Sequence, residues 1–139
     1  MVREDERGEG KWDTLTKALQ LANYTIQITD NKKVFVTEHQ TTTDKIVELA
    51  TDIYYKAWIA NRIRVGKDAE KLKERRRLQN MAIEECERLC CYIQIAKKLF
   101  HLRTKRVDYW SGNALTVQAY LKAWRDGDAD CFRKQSRGR

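Results

Sequence analysis

The sequence predicts an all-α protein, an up-down-up-down antiparallel four-helix bundle. Three observations predict it. Apolar residues recur at three- and four-residue steps through four separate stretches. The 139 residues include no proline, so no ring interrupts a helix. Charged residues make up 35%, well above the roughly 25% of ordinary domains, which suits helices with one heavily charged face. The length points to one domain, and a chain of this size can bury a substantial core. No period-2 alternation is long enough for a sheet. A three-helix bundle with a docked or swapped first helix is the structural alternative.

Residues 1–10 read as a flexible, solvated arm, and 11–126 as the bundle. The first helix is expected over Trp12 to Thr29, with Trp12, Leu15, Ala18, Leu19, Ala22 and Ile26 as its inner face and Asp13 near its start. Asp30-Asn31 breaks it. Lys32 to His39 form a connector, in which Lys33 to Val36 suit a short extended piece. The second helix begins in the cluster Thr41-Thr42-Thr43-Asp44, where Thr41 and Asp44 have capping-box spacing. Its inner face is Ile46, Leu49, Ala50, Ile53, Tyr54 and Ala57, with Trp58 or Ala60. It runs to about Val65, and Gly66 is a natural left-handed stop. The third helix spans Asp68 to Phe100. Leu78, Met81, Ala82, Cys86, Leu89, Ile93, Ala96 and Phe100 share its inner face, with Glu85 as a polar intruder. Thr104 caps a fourth helix, Lys105 to Arg125, along which Val107, Trp110, Ala114, Val117, Leu121 and Trp124 form one stripe. Gly127 is expected to end it, leaving 127–139 as a mobile basic tail.

The formal net charge is +8, and it is unevenly spread. Residues 1–61 hold 8 Lys/Arg and 10 Asp/Glu, whereas residues 62–106 hold 14 and 6. A positive field of this kind favours a polyanionic partner, nucleic acid or an acidic protein surface. The cations fall into two groups. Arg62, Arg64, Lys71, Lys73, Arg75, Arg76 and Arg77 cluster around the second turn, and Arg103, Lys105 and Arg106 sit at the far end of the third helix. These ten are the candidate nucleic-acid or polymerase contacts, because Lys and Arg neutralise phosphates. The competing reading is a solvated charged helix, in which Glu70 and Glu74 offset part of the charge.

Other chemistries lack their residues. Cys86, Cys90, Cys91 and Cys131 form neither CxxC pairs nor a disulfide framework, and His39 and His101 are the only histidines. Small apolar filling of a bundle core is the reading for these thiols, and reduced thiols suit a cytoplasmic protein. A di-iron bundle needs Glu-x-x-His repeats, which are absent. No nucleophile–base pair or glycine-rich phosphate loop is present. The expectation is therefore a protein that is not an enzyme, with no cofactor, metal or small-molecule substrate. No apolar run is long enough to span a membrane. The tryptophans read as core first and as a subunit interface second.

Four stretches together resemble one family: KWDTLTKALQLANYTIQI, TDKIVELATDIYYKAWIAN, RLQNMAIEECERLCCYIQIAKKL and HLRTKRVDYWSGNALTVQAYLKAW. In their order and spacing over residues 11–126 they resemble the accessory variability determinant proteins of diversity-generating retroelements, within a wider bacterial four-helix-bundle family. The connector NKKVFVTEH lacks the proline often found there in that family. The resemblance implies a protomer that assembles as a ring-like homopentamer with a positive surface, encoded by a bacterium or phage. It implies binding to a reverse transcriptase, its template RNA and the cDNA, in support of mutagenic cDNA synthesis, with the polymerase chemistry residing in the partner. The second reading is an oligomeric four-helix scaffold or interaction protein without a polymerase partner.

Overall fold

The computed structural model describes the backbone of residues 2–137 and the side chains of residues 12–135. Four α-helices follow one another: α1 (Val2–Thr29), α2 (Gln40–Arg62), α3 (Ala69–Leu99) and α4 (Thr104–Arg137). A single 3-10 turn, Thr37–His39, precedes α2, and there is no strand among the described residues. Each helix packs on its neighbours in the chain, and α4 closes the ring on α1. The short connections force antiparallel neighbours. One end of the bundle therefore holds the α2–α3 turn with the end of α4. The other holds the α1–α2 connector with the α3–α4 turn.

The core is the set of inward stripes. Ile46, Ala50, Ile53, Ala57, Ala82, Cys86, Leu89, Ile93, Ala114, Val117 and Leu121 are all buried. Trp110 is fully buried, and its indole Nε1 donates to Thr25 Oγ1 at 3.0 Å. That bond meets the polar requirement of a buried indole. Asp68 caps α3 by accepting from the backbone N–H of Glu70 at 2.9 Å and of Lys71 at 3.3 Å. Two of the four orphan donors at that end are thereby satisfied. Gly66 takes the left-handed conformation, φ +53°. His101 does the same at φ 56°, and Leu102 N–H then reaches back to Lys97 O at 3.0 Å.

Several sequence expectations are corrected. The α1 inner face is rotated: Thr14, Leu15, Ala18, Leu21, Ala22, Thr25 and Thr29 are buried, while Trp12, Leu19 and Ile26 are exposed. Three threonines point inward because the interior bonds their hydroxyls, as Thr29 Oγ1 to Thr25 O at 2.7 Å shows. Apolar counting alone passes over such positions. Met81 and Trp58 also face outward, and Ala60, not Trp58, is the core residue near the end of α2. The connector is not extended. Its turn drives Phe35 fully into the core, with ring centroids 4.7 Å from Phe100 and 6.1 Å from Trp110. The Thr41–Asp44 capping box does not form; α2 starts earlier, and Gln40 Nε2 bonds Asp44 Oδ1 at 2.8 Å.

Both predicted tails are helical in the described backbone. α1 starts at Val2, not after a ten-residue arm; the side chains through Lys11 lie outside the described residues. The proline-free segment carries acids in its first turns, which suits a helix start. Gly127 does not stop α4, which runs on to Arg137. Glycine costs a helix about 1 kcal/mol, and tertiary contacts outweigh that here. Asp128 is held by Arg75 Nη1 and by Gln79 Nε2, each at 3.0 Å. Cys131 and Phe132 line a small cavity with Val65 and Leu72. The remainder of the predicted basic tail, beyond Gln135, lies outside the described side chains.

Candidate functional site

The two groups of cations sit at opposite ends of the bundle, as the antiparallel order requires. At the α2–α3 end, residues 62–77 contain eight Lys/Arg and three Asp/Glu. Arg62, Arg64, Lys71, Lys73 and Arg76 are exposed, and none of them has an ion pair among the described residues. The Asp68 cap and the turn fix their spacing: Arg62 ends one helix, Arg64 lies in the turn, and the others open the next helix. At the α3–α4 end, residues 97–108 contain five Lys/Arg and one acid. Arg103, Lys105 and Arg106 are exposed there.

Two predicted contact residues are otherwise engaged. Arg77 forms a forked pair with Glu74, Nη2 to Oε2 at 2.8 Å and Nε to Oε1 at 3.1 Å. That pair is exposed, so it adds little stability but lowers the local positive charge. Arg75 is a correction. Its side chain is mostly buried and acts as an internal clamp on the α2–α3–α4 end. Nε donates to Ala60 O at 3.1 Å, Nη2 donates to Ile63 O, and Nη1 pairs with Asp128 at 3.0 Å. The guanidinium also lies 5.6 Å from the Trp124 ring centroid. A planar fork with five donors suits this task, and it leaves Arg75 unavailable to an external phosphate. Sequence spacing could not separate Arg75 from Arg76, because only the packing of α4 against α3 singles out one of them.

A groove of about 420 Å³ lies between α1 and α4. It is lined by Lys17, Gln20, Leu21, Tyr24, Tyr109, Asn113 and Thr116. Tyr109 is 60% exposed and stands edge-on to Tyr24, with centroids 5.2 Å apart at 70°. Burial raises the Tyr24 phenol above its ordinary value, while the nearby Arg106 charge partly opposes this. The sequence alone does not single out Tyr109. No local signal couples it to Lys17 and Gln20, which lie far away in the chain.

Between α2 and α3, Lys56 bridges Asp52 and Glu85, with its Nζ 3.3 Å from Glu85 Oε2. Two carboxylates here share one ammonium, and Glu85 Oε1 is buried without a hydrogen-bond partner. Burial, with the hydrogen bond and charge of Asp52, pushes Glu85 up to about 7. The Glu85 carboxyl beside it, helped by Lys56, holds Asp52 below its usual value, against the opposing effect of burial. Burial draws the Lys56 pKa down, but its two carboxylate partners outweigh that and raise it. This cluster joins two helices and does not open onto the groove. Cys86 is buried and its thiol is pushed up by burial, as is that of half-buried Cys90. Among the described residues no group of three His, Cys, Asp or Glu is placed to hold a metal ion, and no helix is long and apolar enough to cross a membrane.

Comparison with protein-family models, curated proteins and solved structures finds no match to this chain. The functional reading therefore starts from the surface: two cationic ends, a polar aromatic groove and a flank with exposed apolar side chains. That flank belongs to α1 and α2. Trp12, Leu19 and Ile26 repeat every seven residues on the side of α1 away from Lys17 and Tyr24, which face α4. Tyr55 and Trp58 are exposed on α2, on a face that also carries exposed Glu48 and Arg62. Between Trp12 and Thr29 the only charged residues are Asp13 and Lys17.

Proposed function

We propose that this chain is a non-catalytic, cytoplasmic accessory subunit that binds nucleic acid beside a reverse transcriptase of the diversity-generating kind. The observation that carries the reading is the α2–α3 end, where five exposed cations without ion pairs are held by a capped turn. Electrostatic attraction to template RNA or cDNA would supply affinity. Packing against the polymerase would supply specificity. The sequence resemblance supports the choice of partner, and the apolar side chains exposed along the α1–α2 flank support assembly of several copies, with the pentamer as the expected number. That flank also favours the second reading, an oligomeric bundle scaffold without a polymerase partner.

The test is a salt titration of RNA binding, read by anisotropy. Contact with about five phosphates predicts a slope of log affinity against log salt of roughly −3 to −5. Changing Arg62, Arg64, Lys71, Lys73 and Arg76 together to Glu should abolish that slope and keep helicity. A flat salt response in the parent protein, or unchanged binding by the variant, would overturn the nucleic-acid reading. Co-purification with a neighbouring reverse transcriptase separates the two readings of the partner.

A further inference from the structure

We propose that the α1–α4 groove seats unpaired bases of a single-stranded nucleic acid, with Tyr109 as the stacking surface. This rests on the nucleic-acid reading above and assigns it a second, chemically different contact. Tyr109 is the starting point. It is 60% exposed on a helix whose Val107 and Trp110 are buried, so packing does not account for its outward ring. The ring is nonetheless held: Tyr24 meets it edge-on at 5.2 Å. A preset aromatic face costs little to order when a base arrives.

The rest of the lining matches a base and its backbone. Gln20, Asn113 and Thr116 offer donors and acceptors without net charge. Such groups can bond base edges of any identity. Cations stand at both ends of the groove. Lys17 belongs to the lining itself. Arg106, three residues before Tyr109, lies close enough to Tyr24 for its charge to act on the phenol. Among the described residues no acid lines the groove. From Arg106 to Thr116 the helix rises about 15 Å at 1.5 Å per residue, room for a short run of nucleotides along its wall. Arg103 and Lys105 continue the positive path onto the α3–α4 end. A duplex keeps its bases stacked inside and offers Tyr109 no face, so the groove selects single strands.

The experiment compares a labelled single-stranded homopolymer RNA with a hairpin duplex of equal length, on the full chain and on Tyr109→Ala, Tyr109→Phe and Lys17→Ala. Circular dichroism confirms that each variant keeps its helicity. Tyr109→Ala should weaken single-strand binding roughly 5- to 150-fold, the size of one lost base–aromatic stack, and leave the duplex unchanged. Tyr109→Phe should stay within about twofold of the parent, since stacking needs the ring and not the hydroxyl. Lys17→Ala should weaken the single strand and reduce its salt slope by about one. An oligomer of abasic sugars should bind the parent as weakly as the intact strand binds Tyr109→Ala. Full single-strand affinity in Tyr109→Ala, an equal loss for both probes, or tight abasic binding would overturn the proposal. Salt-dependent duplex binding that survives such a result would leave the α2–α3 reading standing, whereas a parent chain that binds neither probe would end both.

Discussion

Glu85 shows how one residue sets a property of the whole. Its carboxyl is shared with Asp52 and faces Lys56 across the α2–α3 contact, and one of its oxygens is buried without a partner. Its folded-state pKa, about 7, lies above the ordinary 4.5. The folded chain therefore binds a proton more readily than the unfolded chain, so Glu85's contribution is fully present below pH 4.5 and is lost as pH rises through 7. Asp52 works the other way: its lowered pKa gives stability that is lost as pH falls through its folded value. Chemical denaturation followed from pH 5 to pH 8 should show declining stability. Glu85→Gln should flatten that decline and gain roughly 1–2 kcal/mol at pH 8, because an amide can donate to Asp52 at any pH. A decline of equal slope in the variant would place the effect elsewhere. The sequence marked Glu85 as a polar residue on an apolar stripe. It did not reveal the partner, since Asp52 and Lys56 meet it only when α2 and α3 are paired.

The elements are governed by their ends as much as by their stripes. α3 is bounded by a capping aspartate at one end and a left-handed residue at the other. The left-handed Gly66 that precedes the aspartate was legible in the sequence, whereas Asp68 reads there only as the first residue of the helix. The left-handed position after α3 is filled by His101, where glycine is the usual choice. A side chain in that conformation costs roughly 1–2 kcal/mol. His101→Gly should therefore stabilise the fold by about 1 kcal/mol, read as a higher midpoint in denaturant, because the gain exceeds glycine's extra unfolded-state entropy. No change, or a loss, would mean that the imidazole makes a compensating contact. α4 teaches the converse. Gly127 followed by acids reads as a stop, yet the clamp of Arg75 and Gln79 on Asp128 carries the helix onward. Local propensity is worth about 1 kcal/mol there, and a half-buried charged pair with neighbouring apolar contacts outweighs it.

At the scale of the molecule, charge is partitioned. The ends are cationic, the α2–α3 interior balances its own ions, and the α1–α2 flank exposes Leu19, Ile26, Tyr55 and Trp58. Copies carrying a formal +8 repel one another wherever their ends meet. They can approach at lower cost where the apolar side chains of α1 and α2 are exposed. Sedimentation velocity at micromolar protein should give an oligomer, and Leu19→Glu with Trp58→Glu should convert it to a monomer of unchanged helicity. A monomeric parent chain would remove the assembly from the proposed function. The tryptophans illustrate what could be read in advance. Trp110 and Trp124 lie on a clean stripe and are buried, whereas Trp58 fits either face of α2 on paper and lies outside.

By itself the sequence determined the number of helices, their order, the α4 stripe, most of the α2 and α3 stripes and the separation of cations into two groups. These depend on period and composition, which are properties of neighbours along the chain. The tertiary structure alone decided which flank of α1 turns inward, how Phe35 enters the core and why α4 continues past Gly127. It also decided that Arg75 clamps the interior while Arg76 stays outside. Each of these depends on a partner many residues away, and a hydrogen bond or buried ring gains its energy only once that partner is in place.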